Sequence, residues 1–297
     1  MDVVTGINVG TASVNWGFDP LYTWVQPPSF EQMLDEMAAT GYAGTEISYN
    51  FPLDSSALKA ALTERSLRAT ATFVALDLRD ARLHERALQV LGPVADRLQA
   101  LGAHTIILSD QPSAARLAIA GQVAADGSDG LDERAWNALG RGLDRAARLL
   151  ADRSMRAVFH PHVGTYVETR AEIDRLCAAT DPQLLGLCPD TGHLAYAGVD
   201  PASIFRDYGA RIWYVHLKDE DGDKLERVRK QHIGFVDAVQ MGLFVELGAG
   251  IVPLASIFDV LQRGSYAGWI IVEQDAPANP LATAKRNRAY LREQFGT

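Results

Sequence analysis

The sequence predicts a (β/α)8 barrel, a fold of the α/β class, and three observations predict it. Short apolar runs alternate with amphipathic stretches from one end of the chain to the other, the pattern of parallel strands joined by crossover helices. The alternation repeats eight times in 297 residues, a length that suits one barrel of about 250 residues or more. Four of the apolar runs also stop abruptly on a side chain of metal-ligand type: Ala157-Val158-Phe159 at His160, Leu187-Cys188-Pro189 at Asp190, Trp213-Tyr214-Val215 at His216 and Ile270-Ile271-Val272 at Glu273. An open doubly wound sheet is the competing fold, and it asks for G-x-G-x-x-G at the first strand-to-helix turn. That turn reads NVGTASVNWG here, and the G-x-G of Gly248 and Gly250 comes late, without a βαβ context.

Taken in order, residues 5–9 form the first expected strand, and residues 30–40 the first helix, with Met33, Leu34, Met37 and Ala38 at helical spacing and Gly41 as its stop. Residues 44–47 are the second strand. Asp54 is a plausible N-cap for a helix to residue 65. The third strand, 68–74, leads into a helix over 80–101 whose interior Pro93 predicts a kink or break. Strand four is 105–108. Residues 109–130 turn to Ala, Gly, Ser and Asp, a loop that is either a substrate rim or a surface excursion. A long helix over 131–154, a strand over 156–160, a helix over 168–179, a strand over 184–189, a helix over 201–208 and a strand over 212–215 continue the alternation. Regularity then fails from residue 217 to 250, so an extra structure is expected over that end of the barrel. A helix over 253–262, the last strand at 267–273 and a closing helix over 280–295 complete the count. No linker rich in Pro, Ser or Gly divides the chain, and a single domain over 1–297 is expected.

Composition narrows the function. Apolar residues make up 47% and charged residues 22%, enough to bury a substantial core. The 28 Lys and Arg against 37 Asp and Glu leave a net charge of −9, which argues against nucleic acid as a partner. Cys177 and Cys188 make no disulfide framework, and a cytoplasmic location is expected. MDVVTGINVG lacks a basic leader with an apolar core, and no run approaches the ~18 apolar residues of a membrane span, so no membrane role is expected.

The carboxyl ends of barrel strands face one mouth, so His160, Asp190, His216 and Glu273 are expected to converge there. Each alone is also explained as a capped strand end or a satisfied buried polar group. Four together are not, because barrel interiors otherwise take Val, Ile and Leu. Two carboxylates and two imidazoles suit a divalent ion such as Mn²⁺, Co²⁺, Fe²⁺ or Zn²⁺ and lack the thiolates of a structural zinc site. Around them lie Glu46, His162, His193 and the pair Lys218-Asp219, candidates for acid, base or supporting roles, with Lys218 favoured for substrate contact. Trp16, Tyr22 and Trp24 follow the first strand and either wall a polyol site or pack at the rim. The run Asp219-Glu-Asp-Gly-Asp-Lys is not an EF-hand loop, since its glycine and twelfth position do not fit. No G-x-S-x-G, P-loop or C-x-x-C is present.

Six ordered motifs carry a resemblance: GYAGTEISYNFP at 41–52, HPHVGTYVET at 160–169, CPDTGHLAYAG at 188–198, RIWYVHLKD at 211–219, FVELGAG at 244–250 and GWIIVEQD at 268–275. The match they carry runs over nearly the whole chain, which resembles the inosose dehydratase family within the xylose isomerase-like superfamily of metal-dependent barrels. The superfamily places ligands as Glu, Asp, His and Glu after strands five to eight. The last three map onto Asp190, His216 and Glu273; His160 departs from the Glu pattern, and His162 and Glu168 stay open beside it as the remaining ligand.

The resemblance implies dehydration of 2-keto-myo-inositol or a related keto-polyol, a hydro-lyase reaction with Mn²⁺ or Co²⁺ and with Zn²⁺, Fe²⁺ or Mg²⁺ as alternatives. A divalent ion beside the ketone favours loss of the α-proton, and an acid then assists departure of the β-hydroxyl. Glu273, Glu46 and His162 are the candidate bases, His193 and Lys218 the candidate acids or oxyanion contacts, and Trp16 and Glu246 further substrate contacts. The same chemistry serves keto-sugar epimerases and isomerases. A non-catalytic sugar-binding subunit and a homo-oligomer are the other possibilities the sequence leaves open.

Overall fold

The computed structural model describes residues 6–297, so Thr5, where the first strand was expected to begin, lies outside the described residues. The strands are β1 (Asn8–Thr11), β2 (Gly44–Thr45), β3 (Arg68–Ala69), β4 (Ala71–Leu76), β5 (Thr105–Asp110), β6 (Arg156–Phe159), β7 (Leu185–Leu187), β8 (Tyr214–Leu217), β9 (Asp219–Glu220), β10 (Phe244–Val245) and β11 (Trp269–Val272). Two parallel arcs, β3-β2-β1-β11-β8 and β4-β5-β6-β7, make up the wall.

The arcs join at both seams. At one, β3 runs into β4 through Thr70, whose N–H donates to the Thr45 carbonyl at 3.1 Å, while the Ile47 N–H donates to Ala71 at 2.8 Å. At the other, parallel bridges link Leu187 to Ile212 and Asp190 to His216. The wall closes into the expected barrel.

Closure divides the apolar residues into two layers. Ala12, Ala71, Ile107, Val158, Cys188, Tyr214 and Ile271 pack inside the ring, where the Tyr214 hydroxyl reaches Thr70 Oγ1 at 2.8 Å. The larger cluster lies between the strands and the outer helices, drawing Met33, Leu34 and Met37 from the first helix and Ile257, Phe258 and Leu261 from the last but one.

The helices over Phe30–Thr40, Pro201–Tyr208 and Pro280–Phe295 have the expected bounds, and Asp54 caps Ser55–Glu64 through the N–H groups of Ser56 and Ala57. The stretch 80–101 breaks, as Pro93 requires, but upstream of it, between His84–Leu88 and Leu91–Ala100. Pro93 thus falls in the first turn of the second helix, where a missing N–H leaves no intrahelical bond unmade. A short helix, Thr191–Tyr196, forms where no helix was expected.

The irregular region after β8 holds an antiparallel pair, β9 with β10, and helices Gly222–Gln231 and Phe235–Gln240. Its apolar residues form a separate cluster with Tyr22, Val163 and Tyr196, which ties it to the barrel mouth. Among the described residues no helix is long and apolar enough to cross a membrane.

Candidate active site

A cavity of about 370 Å³ opens at the carboxyl ends of the strands. Ser13, Asp19 and Tyr22 after β1, Glu46 and Tyr49 after β2, Phe73 on β4, His160 and His162 after β6, His193, His216, Lys218, Phe235, Glu273 and Asp275 all line it. The barrel therefore brings the chemistry-bearing strand ends together.

Asp190 sits at the centre of this group for a local reason. It caps the helix Thr191–Tyr196, and its Oδ1 accepts the N–H groups of Gly192 at 2.8 Å and His193 at 3.0 Å. Its Oδ2 is left buried without a hydrogen-bond partner. Four cationic or imidazole groups surround that oxygen: Lys218 Nζ at 3.2 Å, His160 Nε2 at 3.7 Å, His216 Nδ1 at 3.8 Å and His193 Nε2 at 3.9 Å. Gly192 permits the approach, since a Cβ there would lie 2.6 Å from Lys218 Cβ.

His216 presents its two nitrogens to different neighbours. Nε2 lies 2.7 Å from Glu46 Oε1, a contact in which Nε2–H donates to the carboxylate and which turns Nδ1 to the centre. Nδ1 has no hydrogen-bond partner and lies 3.4 Å from Glu273 Oε2. Glu46 thus holds a ligand-type histidine from behind, the arrangement by which carboxylates orient metal-binding imidazoles.

Donors bound at ~2.1 Å to one ion stand roughly 3 to 4 Å apart. The separations of 3.4 Å (His216–Glu273), 3.7 Å (His160–Asp190) and 3.8 Å (His216–Asp190) fall in that interval. Two buried donor groups, His160-Asp190-His193 and Glu46-His216-Glu273, are each compact enough for an ion. The orphaned Oδ2 and Nδ1 atoms and the mixed N/O donor set fit a divalent metal.

Lys218 neutralises this acid-rich centre. Its ammonium lies 3.2 Å from Asp190, 2.9 Å from Glu273 and 3.2 Å from Asp275, and although burial opposes the charge, these carboxylates hold its pKa well above the ordinary value. Burial, helped by His160, pushes His162 down to about 3, and burial with His162 and Lys218 also lowers His193. Their imidazoles, 3.8 Å apart between centroids, are therefore neutral. His162 Nδ1 meets the Val163 carbonyl at 2.7 Å, which makes it the N–H nitrogen and leaves Nε2 as the acceptor.

Asp275 and Phe235 are among the groups that the sequence did not reveal. Asp275 accepts the Tyr22 hydroxyl at 2.7 Å, and burial pushes its carboxyl up to about 6 despite Lys218. A signal for it existed: Asp275 follows Glu273 by two, the spacing that keeps a side chain on one face of an extended segment. Phe235 reaches His193, with ring centroids 5.7 Å apart, from the irregular region where no periodicity announced it.

Other expectations are corrected. Trp16 is fully buried, does not line the cavity, and donates Nε1–H to Glu36 at 2.7 Å, because the chain turns inward after β1. Glu246 lies outside the cavity lining and accepts from Arg286 Nε at 2.9 Å on the closing helix. Glu168 is no ligand to this centre, since its oxygens accept the N–H groups of Gly121 at 2.6 Å and Gly164 at 2.7 Å. Asp219 likewise binds backbone, taking the N–H groups of Gly248, Gly250 and Val252. Trp24 does not line the cavity and packs on Tyr22 at 5.3 Å.

Residues 34–294 match the family described as xylose isomerase-like TIM barrel. A protein of Clostridium botulinum named inosose dehydratase is 34% identical over 97% of each chain. One of Clostridium beijerinckii with the same name is 35% identical over 98% of each. Among solved structures, the probable 3-DHS dehydratase of Bacillus anthracis superposes with a TM-score of 0.74 at 15% identity, over 97% of this chain and 99% of the other. An L-ribulose 3-epimerase gives 0.71 at 17%, over 98% and 95%. At such identities these structures speak for the fold alone.

Proposed function

This chain belongs to the inosose dehydratase family of xylose isomerase-like TIM barrels, and from that premise we propose that it is a hydro-lyase that dehydrates 2-keto-myo-inositol or a closely related keto-polyol. The likeness over 97% of both chains to a relative of that name carries the reading. The proposed metal, Mn²⁺ or Co²⁺, would be held by His160, Asp190, His216 and Glu273, and when bound it would supply a Lewis acid that makes the proton beside the ketone easier to remove.

The chain's own residues do the rest. Glu46 keeps Nδ1 of His216 turned to the centre. Lys218, which holds its proton, offers positive charge to oxygen as negative charge develops there, rather than acting as an acid. A base on the cavity wall, Glu46, Glu273 or His162, takes the α-proton, the electron pair of that C–H bond forms the new double bond, and the C–O bond of the β-hydroxyl breaks. The proton then leaves with the hydroxyl as water, with His193 beside His162 to pass it. We read residues 1–297 as one barrel domain, supported by the match over 34–294, and a cytoplasmic location on the two free cysteines.

The test is to incubate metal-loaded protein with 2-keto-myo-inositol and follow product mass together with ultraviolet absorbance of a conjugated enol–dione. Loss of one water is the expected result. An isomer of unchanged mass replaces the reading by an epimerase or isomerase, and binding without turnover replaces it by a sugar-binding subunit.

A further inference from the structure

One side chain of the cavity has no part in the chemistry above. Phe73 stands on β4 two residues after Ala71, which is fully buried in the layer inside the ring, so both point inward. Phe73 nonetheless remains 43% exposed. Its exposed surface lines the cavity, and its ring is set edge-on to His160, with centroids 5.8 Å apart and planes at 87°. An aromatic ring packed edge-on against an imidazole and left exposed inside a concave site is apolar surface that a ligand covers.

The opposite wall has the reverse character. Around the ring, β8 lies across from β4, and it brings Lys218, beside which stand Asp275 and Tyr22. A ligand between the two walls meets carbon on one side and charge on the other. A carbocyclic polyol with mainly equatorial hydroxyls has that shape: its faces are C–H and its rim is hydroxyl. An extended open-chain ketose carries hydroxyls on both sides and leaves one against the Phe73 ring without a partner.

We propose that Phe73 is a specificity-determining residue that receives the C–H face of a ring-closed keto-polyol, so that the site selects carbocyclic over open-chain substrates. The proposal rests on the reading of this cavity as a keto-polyol site. It names the residue that chooses the substrate's shape.

The experiment measures binding of myo-inositol, an unreactive ring-closed probe, and of D-sorbitol, an acyclic polyol that cannot close a ring, to metal-loaded wild type, Phe73→Ala and Phe73→Leu by calorimetry, alongside kcat and KM for 2-keto-myo-inositol. Phe73→Ala is expected to weaken myo-inositol binding by about tenfold or more, the scale of one lost aromatic contact. KM rises in parallel while kcat stays within about threefold, as for a contact made equally in ground and transition states. Phe73→Leu keeps apolar volume without the ring face and is expected to fall between; it decides the matter should the alanine variant fail to fold. The proposal is overturned if both variants bind myo-inositol like wild type, if cyclitol and sorbitol lose affinity equally, or if wild type binds no cyclitol. Cyclitol binding that depends on Phe73 without any dehydration refutes the hydro-lyase reading and leaves Phe73 in its role.

Discussion

Two sets of residues build one cavity by different means. His160, Asp190, His216 and Glu273 sit at or just beyond the ends of β6, β7, β8 and β11, and barrel register fixes where they meet, as the parallel bridge from Asp190 to His216 illustrates. Asp19, Tyr22 and Phe235 come from loops and from the region after β8, and they are placed by contacts distant in the chain, such as the Tyr22–Asp275 hydrogen bond across 253 residues. Strand ends are held by the whole sheet, whereas a loop residue is held by the few partners it finds. Changes at strand ends should therefore remove chemistry and spare the fold, while changes at loop anchors should blur geometry by degrees.

The largest effect is expected from Asp190→Asn. Asparagine retains a side-chain oxygen for the N–H groups of Gly192 and His193, so the cap survives, but the anionic Oδ2 among Lys218, His160 and His216 is gone. Metal content by elemental analysis should fall to background, and kcat/KM by about 1,000-fold or more, equivalent to roughly 4 kcal/mol of lost transition-state stabilisation. The melting curve of the metal-free protein should stay close to that of metal-free wild type. Full metal occupancy in the variant would remove Asp190 from the ligand set.

Glu46→Ala comes next and sharpens the distinction within the strand ends. Glu46 touches the far nitrogen of His216, at 2.7 Å, so the ligands all remain but one loses its orientation. Loss of such a supporting carboxylate typically costs about 10 to 100-fold in metal affinity, read by titrating the apo protein. An unchanged affinity would return Glu46 to a direct role with substrate.

Tyr22→Phe tests the loop set. It removes one hydroxyl from a buried carboxylate that also binds Lys218, and a hydrogen bond to a charged group is worth about 1.5 to 3 kcal/mol. The expected outcome is a fall of about 10-fold in kcat/KM with metal content unchanged. A collapse as deep as that of Asp190→Asn would erase the difference between the two regions.

What the sequence disclosed follows the same division. Strand ends were legible because an apolar run that stops on a polar residue records burial and direction at once, as at Ile270-Ile271-Val272 before Glu273. The helix periods of residues 30–40 and 201–208 were legible for a similar reason, since one face packs on the sheet. The helix Thr191–Tyr196 was hidden because all of its residues are buried and no polar face marks a period. The role of Asp275 was hidden because it depends on Tyr22, which no local pattern links to it.

The smallest effects are expected at the two positions where residue type suggested a substrate contact and the structure places none. Glu246 directly follows β10, in a half-exposed ion pair with Arg286; such pairs contribute about 0 to 1 kcal/mol. Glu246→Ala should leave kcat and KM within about twofold, since nothing that touches the cavity moves. Trp16 is different in kind, because it is fully buried and its indole N–H is satisfied by Glu36. Trp16→Phe removes that bond and part of the packing, so stability should drop by about 1 to 3 kcal/mol, seen as a lower urea midpoint with unchanged slope. Below the unfolding transition kcat/KM should match wild type. A variant of unaltered stability with KM raised tenfold would instead put the indole against substrate, and the loop after β1 would then approach the cavity more closely than its hydrogen bonds now indicate.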